Sequence, residues 1–232
     1  MNVRVIAVDR PGCGLSDFLS GRQFLDWPDD VVELADALQL DRFAVLGYSG
    51  GGPYAAACAF KIPERLTATA IVSGMGPVDA PGTKDGLSWT LSGKGSVTRR
   101  LTLMMLSLGL KKPDKFLPKI KESLKGPDKE LVADKPEILK SVADSFSEAL
   151  RPGIAGLHYE AGLYAQPWGF QLEDITAEVY LWHGEEDGNV LISVGRYVAG
   201  AIPNCHANFI ENEGHLTLLS NYVRNVLGTL TA

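Results

Sequence analysis

Cysteine is scarce: three residues, Cys13, Cys58 and Cys205, in a chain of 232. They are far apart and odd in number, with no C-x-x-C pair and no Cys/His ligand spacing. That excludes a disulfide framework and offers no metal site; the three read as small buried fillers. Long hydrophobic runs are missing too. The longest apolar helical stretch, Leu101 to Leu110, is interrupted by Thr102, Ser107 and Gly109 and is too short to span a bilayer. No membrane partner is expected. No signal peptide opens the chain, because Arg4, Asp9 and Arg10 break any apolar core, and a cytoplasmic location fits. Positive charge is outnumbered, with 22 Lys and Arg against 28 Asp and Glu and a formal net charge of −6. Nucleic acid would want a basic face, so it is not an expected partner. The one basic cluster, at 111–125, is broken by Pro113, Asp114, Pro118 and Glu122 and reads as a solvated helical face.

What is present is an ordinary globular balance, 45% hydrophobic and 22% charged, enough for one domain with a substantial core. Short β-rich runs alternate with helical patterns, as in parallel α/β sheets. Strands are expected at Val3–Val8, Phe43–Leu46, Ala68–Val72, Val179–Trp182 and Asn208–Ile210. Pro28 opens a helix with Val31, Leu34, Ala35 and Leu38 on its apolar face. An Ala-rich helix follows from Pro53 to about Phe60, another carries Val194, Tyr197, Val198 and Ala201, and a last one carries Leu219, Tyr222, Val226 and Leu230.

From about Gly76 to Gly169 the pattern is helical with no convincing strand. One stretch carries Leu101, Met104, Met105 and Leu108, and Pro-rich breaks fall at 113, 118, 127 and 136. An insertion of about ninety residues is too long for a connecting loop. The expected organisation is an α/β core at 1–76 and 168–232, a mostly parallel sheet flanked by helices, with a helical cap at 77–167.

The chemistry centres on Gly47-Tyr48-Ser49-Gly50-Gly51, a G-x-S-x-G sequence. A strand ends at Leu46, Ser49 sits on the turn and a helix starts at once, the setting of a nucleophile elbow. The turn is expected to be so tight that side chains two before and two after Ser49 would clash. A hydroxyl needs a base to take its proton and an acid to orient the base, in the chain order Ser, acid, His. Asp187 follows the strand 179–182, with Glu185 and Glu186 as rivals in the same acidic turn. His215 follows the last short strand. His158 lies in the helical insertion, His206 precedes the last strand, and His183 precedes the acid and breaks the order.

Taken together, Val8-Asp9-Arg10-Pro11-Gly12-Cys13-Gly14-Leu15-Ser16-Asp17, Gly47 to Gly51, Trp182 to Asp187 and Gly214-His215 resemble the α/β-hydrolase superfamily. The branch is the one with cap-bearing esterases, proline iminopeptidases and C–C bond hydrolases. The first segment is similar to the family's structural loop after strand four. It is no dinucleotide fingerprint, since the third glycine would have to stand at Asp17, so no cofactor is expected. Relatives that carry Asp at the elbow, haloalkane dehalogenases and epoxide hydrolases, are excluded by Ser49.

The resemblance implies acyl transfer by Ser49, His215 and Asp187, with the Gly50 N–H as one oxyanion donor. A small-molecule substrate is the expected partner, by default a small or medium ester. Met104, Met105, Phe116, Phe146, Tyr159, Tyr164 and Trp168 are candidates either to roof a largely apolar pocket or to pack the cap's own core. The rival reading is a non-catalytic or impaired hydrolase fold that binds a small molecule or a partner.

The family's sheet order, 1-2-4-3-5-6-7-8, puts three strands before Val3–Val8, with an H-G-type loop supplying a second oxyanion donor. Neither has a counterpart here. A gap between strand 3–8 and strand 43–46 is therefore expected, or a shift that closes it. An open apolar edge would be left, and about a hundred- to a thousandfold of turnover would go with the missing donor. The expectation is a chain lacking an N-terminal segment of roughly fifty residues, or a sheet completed by another copy in a homo-oligomer.

Overall fold

A computed structural model describes residues 3–93 and 95–231. Four strands, β1 (Phe43–Tyr48), β2 (Leu66–Val72), β3 (Val179–Gly184) and β4 (Cys205–Ile210), pair in chain order and all run parallel. Parallel neighbours need crossovers. Helix α1 (Trp27–Ala37) precedes β1, and α2 (Gly52–Lys61) returns the chain from β1 to β2. Between β2 and β3 come α3 (Trp89–Ser92), α4 (Ser96–Leu110), α5 (Pro113–Ser123), α6 (Gly126–Asp134), α7 (Pro136–Ala149) and α8 (Ala155–Leu163). Then α9 (Ile192–Ala201) joins β3 to β4, and α10 (His215–Leu230) follows. A parallel α/β sheet flanked by helices is what the alternation predicts.

The sheet's two faces follow the period-2 rule. Ile71, Val179 and Leu181 face a core shared with α2 and α9, through Ala55–Ala59, Val194 and Val198. Ala70, Val72 and Trp182 face the other way, onto Leu218, Val226 and Leu230 of α10. The small side chains of α2 let it lie close to the sheet, and every residue from Gly52 to Ala59 is buried.

Val3–Val8 is not a strand. Val5, Ile6 and Val8 are exposed, and among the described residues β1 ends the sheet with no partner on its outer side. β-branched residues extend the backbone, but a strand exists only where a neighbour accepts its ladder. The next residues fold as a turn instead. Cys13 N–H donates to Arg10 O and Gly12 N–H to Asp17 O, both at 2.9 Å, and Leu15 N–H reaches the Asp9 carboxylate at 3.2 Å.

Proline punctuates the long helical stretch, standing in the first turn of α5, α6 and α7, where its missing N–H costs nothing. Pro118 departs from this, because it lies inside α5 instead of between helices. In α4 the inward residue is Leu103, while Leu101, Met104, Met105 and Leu108 are exposed. Apolar spacing located that helix but not its buried face.

Candidate active site

All strands point the same way, so the loops after β1, β3 and β4 gather at one edge of the sheet, where ligand sites of open α/β sheets lie. Ser49 follows β1 with φ +54°. That left-handed conformation costs a residue with a Cβ about 1–3 kcal/mol and aims its hydroxyl away from the sheet. Gly47 is required by this turn, since a Cβ there would come within 2.3 Å of the Gly51 carbonyl oxygen. Gly51 is not, because a Cβ there meets nothing within 4 Å. The expected clash two residues after Ser49 is thus corrected. The close approach belongs to Gly52, whose Cβ would lie 2.8 Å from Gly74 Cα.

Ser49 Oγ lies 2.9 Å from His215 Nε2, and His215 Nδ1 lies 2.7 Å from Asp187 Oδ2. The carboxylate accepts from Nδ1–H, which leaves Nε2 free to accept the serine proton. Asp187 Oδ1 accepts the N–H groups of Asn189 and Val190 at 2.8 and 2.9 Å. Burial pushes the Asp187 carboxyl up, but hydrogen bonding and charge from His215, with His183 and the Val190 N–H, outweigh it and hold the group below its usual range. Of the acidic turn only Asp187 points inward. Glu185 pairs with Arg196 at 2.7 Å and Glu186 is exposed.

The other histidines are bonded elsewhere. His183 is the nearest, with its Nε2 2.8 Å from Val190 O and 3.7 Å from Asp187 Oδ2, and burial pulls its imidazole below the usual range. His158 is bonded to Ser96 at 3.1 Å, and His206 to Glu178 at 2.8 Å.

A sequence profile of the alpha/beta hydrolase fold matches residues 3–222. The chain belongs to that family. Solved structures agree on the fold of this alpha/beta hydrolase. An alpha/beta hydrolase fold protein from Nakamurella multipartita superposes with a TM-score of 0.66 at 24% identity, covering 95% of this chain and 80% of that one. A thermophilic esterase from Thermogutta terrifontis gives 0.64 at 19%, covering 95% and 78%. The esterase RhEst1 from a Rhodococcus species gives 0.64 at 18%, covering 96% and 78%. No curated protein matches the sequence.

Three groups of this hydrolase that the sequence did not place beside the triad bear on the site. Tyr48 donates its hydroxyl to His215 O at 2.9 Å and lays its ring 5.0 Å from the imidazole. Asp128 of α6 accepts the N–H groups of His215, Leu216 and Thr217. The Tyr164 hydroxyl is 2.8 Å from Gly50 O and also meets the Glu160 carboxylate, to which Arg10 is paired at 2.8 Å. Tyr48 was legible only as the x of G-x-S-x-G. Asp128 carried no signal in the sequence.

Of the apolar residues considered as roof or cap core, Met104, Met105 and Phe146 are exposed and do not pack a cap core. Tyr164 and Trp168 are buried in the main core beside Phe24, with Tyr159 packed against it. Their apolar surface is satisfied by the sheet domain instead. Among the described residues no group of His, Cys, Asp or Glu is placed to hold a metal, and no helix is long and apolar enough to cross a membrane.

Proposed function

We propose that this alpha/beta hydrolase is a serine esterase working through an acyl-enzyme, on small or medium apolar carboxylic esters. The observation that carries the reading is the continuous hydrogen-bonded line Ser49–His215–Asp187. Ser49 Oγ attacks the ester carbonyl as His215 Nε2 takes its proton. The oxyanion forms beside the Gly50 N–H at the start of a helical turn, where a free amide stabilises developing negative charge. The tetrahedral species collapses, His215 returns the proton to the leaving alcohol, and water repeats the sequence on the acyl-enzyme. Asp187 keeps the imidazole in the working tautomer and stabilises its charged form. The helices at 77–167 act as the cap that limits water and sets acyl preference. Structural neighbours that are esterases support the choice of bond.

The test is a fluorophosphonate probe, which labels only an activated serine, together with turnover of a nitrophenyl ester. Ser49→Ala should abolish both while the protein stays folded, and His215→Ala should be comparably damaging, because members of one catalytic unit fail together. Retention of most turnover in Ser49→Ala would refute the nucleophile. A second reading, an impaired hydrolase fold that binds a small molecule or partner, is favoured by one observation: among the described residues the outer side of β1 is unpaired, and it exposes Leu46. Absence of labelling in the folded wild-type protein would select it.

A further inference from the structure

Helix α10 has an unusual start. The first N–H groups of a helix lack internal partners, and a Ser, Thr, Asp or Asn at the N-cap normally satisfies one of them. Here the N-cap is Gly214, which has no side chain, and a Cβ at that position would come 2.5 Å from Asp128 Oδ1. The acceptor arrives from another helix, with 87 residues separating Asp128 from His215. Asp128 Oδ2 accepts the His215 N–H at 2.9 Å, and Oδ1 accepts those of Leu216 and Thr217 at 2.9 and 3.0 Å. The Asp128 residue is 7% exposed, so water competes little for these bonds.

The residue so held is the one the mechanism assigns as base. Its backbone is gripped on both sides, the N–H by Asp128 from α6 and the C=O by Tyr48 from β1 at 2.9 Å. Its imidazole must bridge 2.7 Å to Asp187 and 2.9 Å to Ser49 at once. A displacement of about 1 Å costs catalysis on the order of a hundredfold. Charge matters as well. The positive end of a helix disfavours an imidazolium at its first residue, and a carboxylate on those same N–H groups offsets that penalty.

We propose that Asp128 is a positioning residue for His215: the helical segment between β2 and β3 caps the catalytic helix in trans, and the base is aligned only while α6 is seated on α10. The inference rests on His215 being the base. Other charged and titratable groups around the imidazole are Asp187 from the loop after β3, His183 of β3, Tyr48 of β1 and Glu213 just before α10. Glu213 is engaged by Asn221 at 2.9 Å. Among the described residues, Asp128 is the one side chain that binds the N–H groups of His215, Leu216 and Thr217.

The experiment compares Asp128→Ala and Asp128→Asn with the parent by ester kinetics, thermal melting and NMR titration of the His215 imidazole. Asp128→Ala is expected to lower kcat by about tenfold or more with KM within about threefold. Asp128→Asn should melt below the parent but above Asp128→Ala, because its amide oxygen still caps Leu216 and Thr217 while its NH2 group leaves the buried His215 N–H without an acceptor. Its kcat should remain severalfold low, and its imidazole should titrate at lower pH than in the parent, since the negative charge is gone. Should Asp128→Ala fail to fold, Asp128→Asn carries the test alone. A variant with lowered melting temperature but parental kcat per folded molecule and a parental titration would reduce Asp128 to a structural cap and overturn the proposal. Failure of the wild type to hydrolyse any ester would instead strike the esterase reading, and the NMR titration would still decide the role of Asp128.

Discussion

Tyr164 presents one hydroxyl to two acceptors, the carbonyl oxygen of Gly50 at 2.8 Å and the carboxylate of Glu160. Its single proton can serve only one of them, and burial together with the Glu160 charge pushes the phenol well above its usual range, so it does not ionise. The Gly50 N–H, proposed to meet the oxyanion, belongs to the Ser49–Gly50 peptide, and Tyr164 holds the next peptide, Gly50–Gly51, from the C-terminal end of α8.

Tyr164→Phe should therefore reach beyond packing. Removing the hydroxyl leaves whichever acceptor held its proton, the Gly50 carbonyl or the Glu160 carboxylate, without that donor, a loss of about 1–3 kcal/mol. It should lower kcat severalfold more than it alters KM. Denaturant titration and ester kinetics on the purified variant measure both, and a variant with parental values of each would show that Gly50 needs no support from this helix.

Asp187→Asn should lower kcat by about 10³–10⁴-fold, the scale seen when a triad carboxylate becomes an amide and the imidazole adopts the wrong tautomer. Glu185→Gln and Glu186→Gln should stay within a few-fold of the parent, because neither side chain approaches His215. Kinetics on the three single variants decide the matter, and a Glu186 variant more damaged than the Asp187 variant would reassign the acid.

The same carboxylate carries a pH signature. The Asp187 group sits below its ordinary value in the folded chain, so it stabilises the fold fully above the unfolded value of about 3.9. That stabilisation fades as pH falls through the lower folded value. Unfolding free energies of the parent should drop steeply below about pH 4, and those of Asp187→Asn should drop less. Equal slopes for the two proteins in that window would contradict the linkage.

Gly47→Ala and Gly51→Ala should behave oppositely despite their symmetric places about Ser49. The first forces a Cβ to within 2.3 Å of a backbone oxygen, the second enters open space. Gly47→Ala should lose stability by more than about 3 kcal/mol or fail to accumulate, and Gly51→Ala should stay within about 1 kcal/mol. Melting temperatures and soluble yield separate the two outcomes.

Much of this was legible in the sequence because periodic patterns and turn residues act locally. The strands at 43–46, 68–72, 179–182 and 208–210 were found within a few residues, and Ser49, Asp187 and His215 do come together. Two kinds of information were not local. Val3–Val8 has the composition of a strand, but whether it pairs depends on a neighbour that no local window can supply. Leu101, Met104, Met105 and Leu108 have the spacing of a buried stripe, yet Leu103 turns inward instead. Which side of a helix faces inward is settled by its neighbours, since the period alone fits more than one face. Asp128 was hidden for the same reason. An aspartate in the first turn of a helix looks self-sufficient until the helix it serves is found far along the chain.

In the proposed mechanism the separation between Ser49 and His215, 166 residues, also governs when activity can appear. Helices α4–α8 are built from neighbouring residues and can form early, whereas the nucleophile has no base until β4 and α10 have joined the far side of the sheet. Contacts this distant along the chain are the slow ones to close. A ribosome must add all of those residues after the serine before any proton can leave it, so a growing chain carries an exposed but inert hydroxyl. By then α6 has already been made, and the carboxylate that will seat the catalytic helix is waiting for it.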